Sequence, residues 1–273
     1  MFLDTDVCIH LANSEARLRE LEKLRKRQGW KLLSSPLALI ELLNGIHTDR
    51  GRHFQESQRA IRVLVGRGRI NFLRFPGEFV CKTLLDRACP ATRLFSRQIE
   101  NWAKFAIQSR DWKHFCSERK FGSSVRKMFS FKPEIVAEQL AEERSWYVET
   151  LSEFQVARQP LGKGPKSERV VSPEYWTKRM FLRLGLVITE DQAQECSKRL
   201  TAARLFDLAG LDLTRVQSYK AETRSHDSTD WQHLLYLCDP LINFVTDDTK
   251  IRTRCIGSPD ASRIHILREL IKE

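Results

Sequence analysis

Hydrophobic and polar positions change period several times along the chain, and those changes divide it into elements. Met1, Phe2 and Leu3 form a short apolar run ending in Asp4, and Val7 to Leu11 open a second apolar stretch. The pattern predicts a buried strand followed at once by another element, with Asp4 and Asp6 at the strand's carboxyl end or capping the helix after it. Glu15 to Arg27 sets Leu18, Leu21 and Leu24 at three-residue spacing among charges, the single apolar stripe of an amphipathic helix. Trp30 to Ser34 reads as a second strand, and Ser35-Pro36 as an N-cap with proline in the first helical turn. In the helix that follows, Leu37 to Ile46, Leu37, Ile40, Glu41 and Asn44 share a face, so a carboxylate stands on a largely apolar stripe.

His47 to Arg69 is a basic, polar connection containing a helix over Ser57 to Val65, and the alternation of Arg69 to Phe75 predicts a third strand. Pro76-Gly77 turns the chain into a helix over Phe79 to Ala88. From Cys89 to Arg224 helical periods dominate: Arg93 to Ile107, Pro133 to Leu151, and two or three more helices from Pro173 to Ala209. Arg158 to Val171 is a basic Pro/Gly loop whose Gly162-Lys163-Gly164 lacks the spacing of a phosphate-binding loop. The last quarter returns to strand and helix patterns. Asp227 to Leu237 is a helix with Asp227 and Asp230 at its start, Ile242 to Thr246 is a buried strand ending in Asp247-Asp248, and Arg263 to Leu267 is a final strand before a short helix.

Composition narrows the class. A hydrophobic share of 41% and a charged share of 30% describe a folded, water-soluble chain, and no run of about eighteen apolar residues suggests a membrane span. The first residues lack the basic region and apolar core of a signal peptide, so an intracellular, cytoplasmic location is expected. The seven cysteines are scattered, with no C-x-x-C pair, which suggests neither a disulfide framework nor a structural zinc site. The formal charge of +11 points to a polyanionic partner, because neutralising phosphates releases counterions. Arg110 to Lys132 interleaves Arg119, Lys120, Arg126 and Lys127 with Trp112, Phe115, Phe121, Phe129 and Phe131, a composition suited to tracking phosphates and stacking bases, or equally to a helical subdomain with an aromatic core. Lys163 and Lys166 add basic candidates in the loop.

Each acid has an ordinary explanation by itself, but together they form a pattern. Asp4 follows a strand, Glu41 lies on an inward helix face, Asp230 sits in a helix's first turn, and Asp248 follows a strand. In a parallel sheet all four converge at the carboxyl edge, where close carboxylates cannot all ionise without cations. One or two Mg²⁺ or Mn²⁺ ions, hard cations that prefer oxygen, are the natural counter-charge, and such a site suits hydrolysis of phosphodiesters.

Four stretches resemble the PIN-domain nucleases: FLDTDVCIHL at Phe2 to Leu11, SPLALIELLNG at Ser35 to Gly45, DSTDWQHLLYL at Asp227 to Leu237 and FVTDDTKI at Phe244 to Ile251. The resemblance implies an α/β fold, a three-layer PIN-like domain with a central parallel sheet over residues 1–85 and 225–273, carrying a mainly helical insertion over 86–224. It implies a metal-dependent nuclease, RNA ahead of DNA as substrate and endonucleolytic, with Asp4, Glu41, Asp230 and Asp248 as catalytic and metal-binding acids. Asp227 and Asp247 are substitutes, and Thr5 and Thr246 supporting polar residues. Compact relatives in that family include the ribonuclease toxins of bacterial toxin–antitoxin pairs; the long insertion departs from them and leaves room for a protein regulator or a homodimer. Two other readings stay open. One is an inactive PIN-like nucleic-acid-binding or interaction protein. The other is a haloacid-dehalogenase-like phosphatase, echoed by Asp4-Thr5-Asp6, although Cys8 stands where that family places Thr. Charge reversal at Arg126 and Lys127 is expected to weaken nucleic-acid binding and flatten its salt dependence in a filter-binding titration; unchanged affinity would remove that segment from the substrate path.

Overall fold

The computed structural model describes residues 1–48, 53–65, 71–90, 96–116, 138, 141–142, 144–150, 152–153, 171–213 and 227–271. Three short strands, β1 (Phe2–Leu3), β2 (Phe244–Thr246) and β3 (Ile264–Ile266), make one parallel sheet in the order β1-β2-β3. Phe2 pairs with Phe244, Leu3 with Val245 and Thr246 with Ile266. Successive side chains on a strand point to opposite faces. Phe2, Phe244 and Ile264 therefore enter one apolar core, while Leu3 and Val245 enter another. The Phe2 and Phe244 rings stack with centroids 4.6 Å apart, and the edges of Tyr236 and His233 close on Phe2 at 5.1 and 5.7 Å.

Helices cover both faces, as a parallel sheet requires. On the Leu3 side lie α1 (Thr5–Ala12), α2 (Glu15–Arg27), α3 (Pro36–Thr48), α4 (Phe54–Val65), α6 (Ser96–Gln108) and α7 (Trp112–Cys116). They contribute Val7, Leu21, Leu39, Ile61, Trp102 and Phe115 to the core there. On the Phe2 side lie α5 (Pro76–Leu85), α8 (Pro173–Arg183), α9 (Glu190–Arg199), α10 (Thr201–Leu213) and α11 (Asp227–Leu235), contributing Val80, Trp176, Cys196, Phe206 and Trp231. Two short helices, α12 (Thr249–Arg254) and α13 (Leu267–Leu270), follow β2 and β3. Apolar side chains from the 86–224 stretch thus join both cores. Trp146, in the helical residues 144–150, lies 4.6 Å from the ring of Trp231.

The expected fold class is corrected by these elements. In place of an α/β fold built on a PIN-like central sheet, the chain is mostly helical, 71% helix against 6% strand, with only a small three-stranded parallel sheet. The strands expected at Trp30 to Ser34 and Arg69 to Phe75 contribute only isolated parallel bridges, Phe2↔Leu33 and Ser34↔Phe72. Helix-starting chemistry truncates each extended segment. Asp4 caps α1 directly after Leu3, Pro36 opens α3, Pro76 opens α5, and Asp248 caps α12. Helix α4 starts at Phe54 rather than Ser57 because the Phe54 ring is buried in the core. Helix α5 starts at Pro76 rather than Phe79 and ends at Asp86, which takes a left-handed conformation at φ 54°.

Arg263 anchors the approach to the sheet. Its guanidinium donates to the carbonyls of Leu237, Asp239 and Ile242 at 2.5, 2.7 and 2.8 Å and to the Asp260 carboxylate at 2.6 Å. Among the described residues no helix is long and apolar enough to cross a membrane. Phe2, with no exposed surface at the centre of its core, is the side chain whose loss should be felt most. Phe2→Ala is expected to lower unfolding free energy by about 3–5 kcal/mol in a denaturant titration, whereas Leu182→Ala, at an exposed position, should change it by less than about 0.5 kcal/mol.

Candidate functional site

The ends of β1 and β2 set the site. Asp4 follows β1 and is the N-cap of α1: its Oδ1 accepts from the Thr5 backbone N–H at 2.8 Å. Its Oδ2 accepts from the Thr246 hydroxyl at 2.7 Å, and that hydroxyl oxygen accepts in turn from the Asp248 backbone N–H at 3.0 Å. Thr246 therefore ties the end of β2 to the end of β1. Asp248 caps α12, its Oδ1 accepting from the Lys250 backbone N–H at 2.7 Å. Asp4 and Asp248 both cap helices, and because each strand ends where a helix begins, each capping carboxylate stands at the sheet edge.

Glu41 lies on α3, half-buried, and accepts a hydrogen bond from the Thr5 hydroxyl. Asp230 lies in the first turn of α11, half-buried. Electrostatics shows which acids share space. Burial, then the charge of Glu41, push the Asp4 carboxyl up from 3.8 to about 7, against the pull of its bonds to Thr246 and Thr5. Burial also holds the Asp230 carboxyl well above the usual range, followed by the charges of Asp4, Glu41, Asp248 and Asp227. The four acids named from the sequence thus act on one another. The two substitutes have other partners: Asp227 faces Arg254 at 3.5 Å and Asp247 bonds to the His10 ring. Arg119, Lys120, Arg126, Lys127, Lys163 and Lys166 lie outside the described residues.

The structure adds groups that the sequence did not single out. His233, one turn beyond Asp230 on α11, has no exposed surface. Its Nε2 is 3.4 Å from the Ser35 hydroxyl, and its Nδ1 faces Asp4 Oδ1 at 3.7 Å without a hydrogen-bond partner. Burial pulls the imidazole down from 6.5 to about 4, so it is neutral near pH 7. The signal was present in the Asp230-x-x-His233 spacing, which places both side chains on one helix face. Behind this layer the fully buried Asp207 of α10 accepts from Trp176 Nε1 at 3.0 Å. Burial raises its carboxyl well above the usual range, while bonds from Trp176, Tyr147 and Trp231 pull it back.

Four carboxylates and no thiolate are the donor set of a hard divalent cation. As placed, no three His, Cys, Asp or Glu side chains among the described residues are gathered tightly enough to hold one. Both oxygens of Asp4 are occupied by Thr5 and Thr246, and closing the set requires the Glu41, Asp230 and Asp248 carboxylates to turn toward it. The raised carboxyls of Asp4 and Asp230 mark a region short of positive charge, and a four-carboxylate donor set fits a hard cation there. Comparisons of the chain with protein-family models, curated proteins and solved structures return no match.

The raised Asp4 and the lowered His233 act on stability with opposite signs. Between about pH 4 and pH 7 native Asp4 keeps a proton that the unfolded chain has released, so stability falls as pH rises. His233 instead costs stability as pH falls from 6.5 to about 4, because only the unfolded chain takes up its proton. Asp4→Asn removes the titration of this carboxyl and leaves that of His233 in place. In EDTA the variant is expected to gain about 1–3 kcal/mol relative to the native chain between about pH 5 and pH 8, measured by denaturant unfolding. A pH-independent difference would refute the burial of an ionisable Asp4.

Proposed function

We propose that the chain is a divalent-metal-dependent phosphodiester hydrolase acting on nucleic acid, RNA ahead of DNA. The observation that carries the reading is the gathering of acids at this edge: Asp4 and Asp248 cap helices at the ends of β1 and β2 and are linked through Thr246, the Thr5 hydroxyl ties Glu41 to α1, and burial with the neighbouring acids raises the Asp4 and Asp230 carboxyls. Acids placed so that they disfavour one another's charge are costly unless a cation offsets them. The formal charge of +11 supports a polyanionic substrate. The four local stretches that resemble the PIN-domain nucleases name the same acids.

In this reading Asp4, Glu41, Asp230 and Asp248 would hold Mg²⁺ or Mn²⁺, which when bound supplies a low-pKa water and charge stabilisation at the phosphate. The chain's own residues do the positioning. The Thr246 hydroxyl and the Thr5 N–H fix both oxygens of Asp4, so its carboxylate keeps one orientation. The Thr5 hydroxyl holds Glu41 against α1. Asp247 is hydrogen-bonded to the His10 ring, and Asp227 pairs with Arg254 at 3.5 Å.

A second reading, nucleic-acid binding without turnover, draws on the absence of any three-ligand metal group among the described residues. Incubating the protein with labelled single-stranded RNA and DNA in Mg²⁺, Mn²⁺ or EDTA separates the two. Metal-dependent cleavage reduced at least about 100-fold in Asp4→Asn and Asp248→Asn is expected. Normal cleavage by either variant would remove it from the site. Tight, salt-sensitive binding with no cleavage would favour the second reading, and a phosphoenzyme intermediate would favour phosphatase chemistry instead.

A further inference from the structure

A buried nitrogen without a partner calls for an explanation, because an unsatisfied polar atom in a protein interior costs about 1–3 kcal/mol. His233 carries one at the edge of the acid cluster. Phe2 and Phe244, stacked on each other, pack against its ring from one side, with centroids at 5.7 and 5.5 Å and near-perpendicular planes of 75° and 73°. Its Nε2 lies 3.4 Å from the Ser35 hydroxyl, and its Nδ1 points at Asp4 Oδ1, 3.7 Å away and just beyond hydrogen-bond reach.

We propose that His233 is a positioning residue for Asp4: Ser35 donates its hydroxyl proton to Nε2, which leaves the imidazole proton on Nδ1, and this N–H faces Asp4 Oδ1 as a third donor that orients the carboxylate toward a divalent cation. The inference rests on the metal-dependent reading of the site. Thr5 N–H and Thr246 O–H already hold Asp4 at 2.8 and 2.7 Å, and a third donor closing by less than an ångström completes the shell around a buried anion. Groups that orient a metal-binding carboxylate from behind set its affinity for the ion without touching it. No charge moves on His233 in this role. The neutral ring supplies a fixed N–H, and Ser35 decides which nitrogen carries it.

Ser35 also lies against the Tyr236 hydroxyl, whose own proton goes to the Arg74 carbonyl at 2.8 Å. The Ser35 proton therefore has two acceptors to choose from, and the tautomer of His233 reports the choice. Long-range ¹H–¹⁵N spectra of histidine-labelled, metal-free protein should show His233 protonated at Nδ1. Protonation at Nε2 would overturn the proposal.

Mn²⁺ titrations by calorimetry on the full chain supply the second arm. His233→Phe keeps an aromatic ring against Phe2 and Phe244 and removes both nitrogens, and it should weaken Mn²⁺ binding by roughly 10–100-fold with stoichiometry unchanged. His233→Asn, which restores a short N–H donor, should recover part of that loss, and Ser35→Ala should show a smaller one. Should His233→Phe fail to fold, the Asn and Ala variants carry the comparison. Equal Mn²⁺ affinity in the native chain and in these variants would overturn the proposal while leaving the metal-dependent reading intact. A native chain that binds no Mn²⁺ would bring down both.

Discussion

The parallel pairing of Phe2-Leu3 with Phe244-Val245 is the contact on which the rest of the structure depends. It joins residues more than two hundred positions apart in the chain, and the ordering entropy of that closure has to be offset by burial. Each strand does this twice over, because alternate side chains feed two separate cores. Fully buried Phe and Leu side chains contribute about 1.5–3 kcal/mol each, so a pair of very short strands can hold together when both faces are covered by helices. The same pairing brings Thr246 onto Asp4, and so makes the acidic edge a consequence of the core.

That edge concentrates carboxylates where the fold can least accommodate their charge. Asp4 and Asp248 cap α1 and α12, and the positive ends of those helices, with the backbone N–H groups they present, offset part of the cost. Asp227 pairs with Arg254, and Asp247 is hydrogen-bonded to His10. Asp4 and Asp230 remain, raised chiefly by burial and then by neighbouring acids, with a neutral histidine beside the first. A formal charge of +11 over the chain and a local gathering of acids are together suited to a polyanion bridged by a cation.

The central part of the chain has a direct bearing on this site. Helix α11 carries Asp227, Asp230 and His233, and its outer face is fixed by Trp231. The Trp231 ring lies among Trp146, Tyr147 and Trp176 at 4.6, 6.1 and 6.4 Å. The buried Asp207 bonds to Trp176 and exerts its pull in the same group. Aromatic side chains from 144–150 and α8 and the acid of α10 thus hold the helix that presents two of the site's groups. The stretch that reads as an insertion braces the helix that borders the acidic edge.

Much of the layout was legible in local pattern. The Leu18, Leu21 and Leu24 stripe set α2 at Glu15–Arg27, Ser35-Pro36 set the start of α3, and the apolar runs ending in Asp4 and Asp247-Asp248 set β1 and β2. Those signals depend on neighbours a few residues apart, which a sequence displays directly. The size of the sheet was not legible, because a strand's length depends on how soon a cap or proline diverts it and on whether a distant partner lies alongside. Trp30 to Ser34 and Arg69 to Phe75 have the alternation of strands and yield single bridges. The acids at the strand ends could be named from sequence. Their standing could not: only packing brought Thr246 to Asp4, Arg254 to Asp227, His10 to Asp247 and a buried His233 to face Asp4. The sequence by itself determined which residues could carry charge at the ends of strands and helices, since that follows from short-range periodicity. The tertiary structure decided which of those charges are buried, shared or neutralised, since burial and Coulomb interaction depend on distance in space and not along the chain.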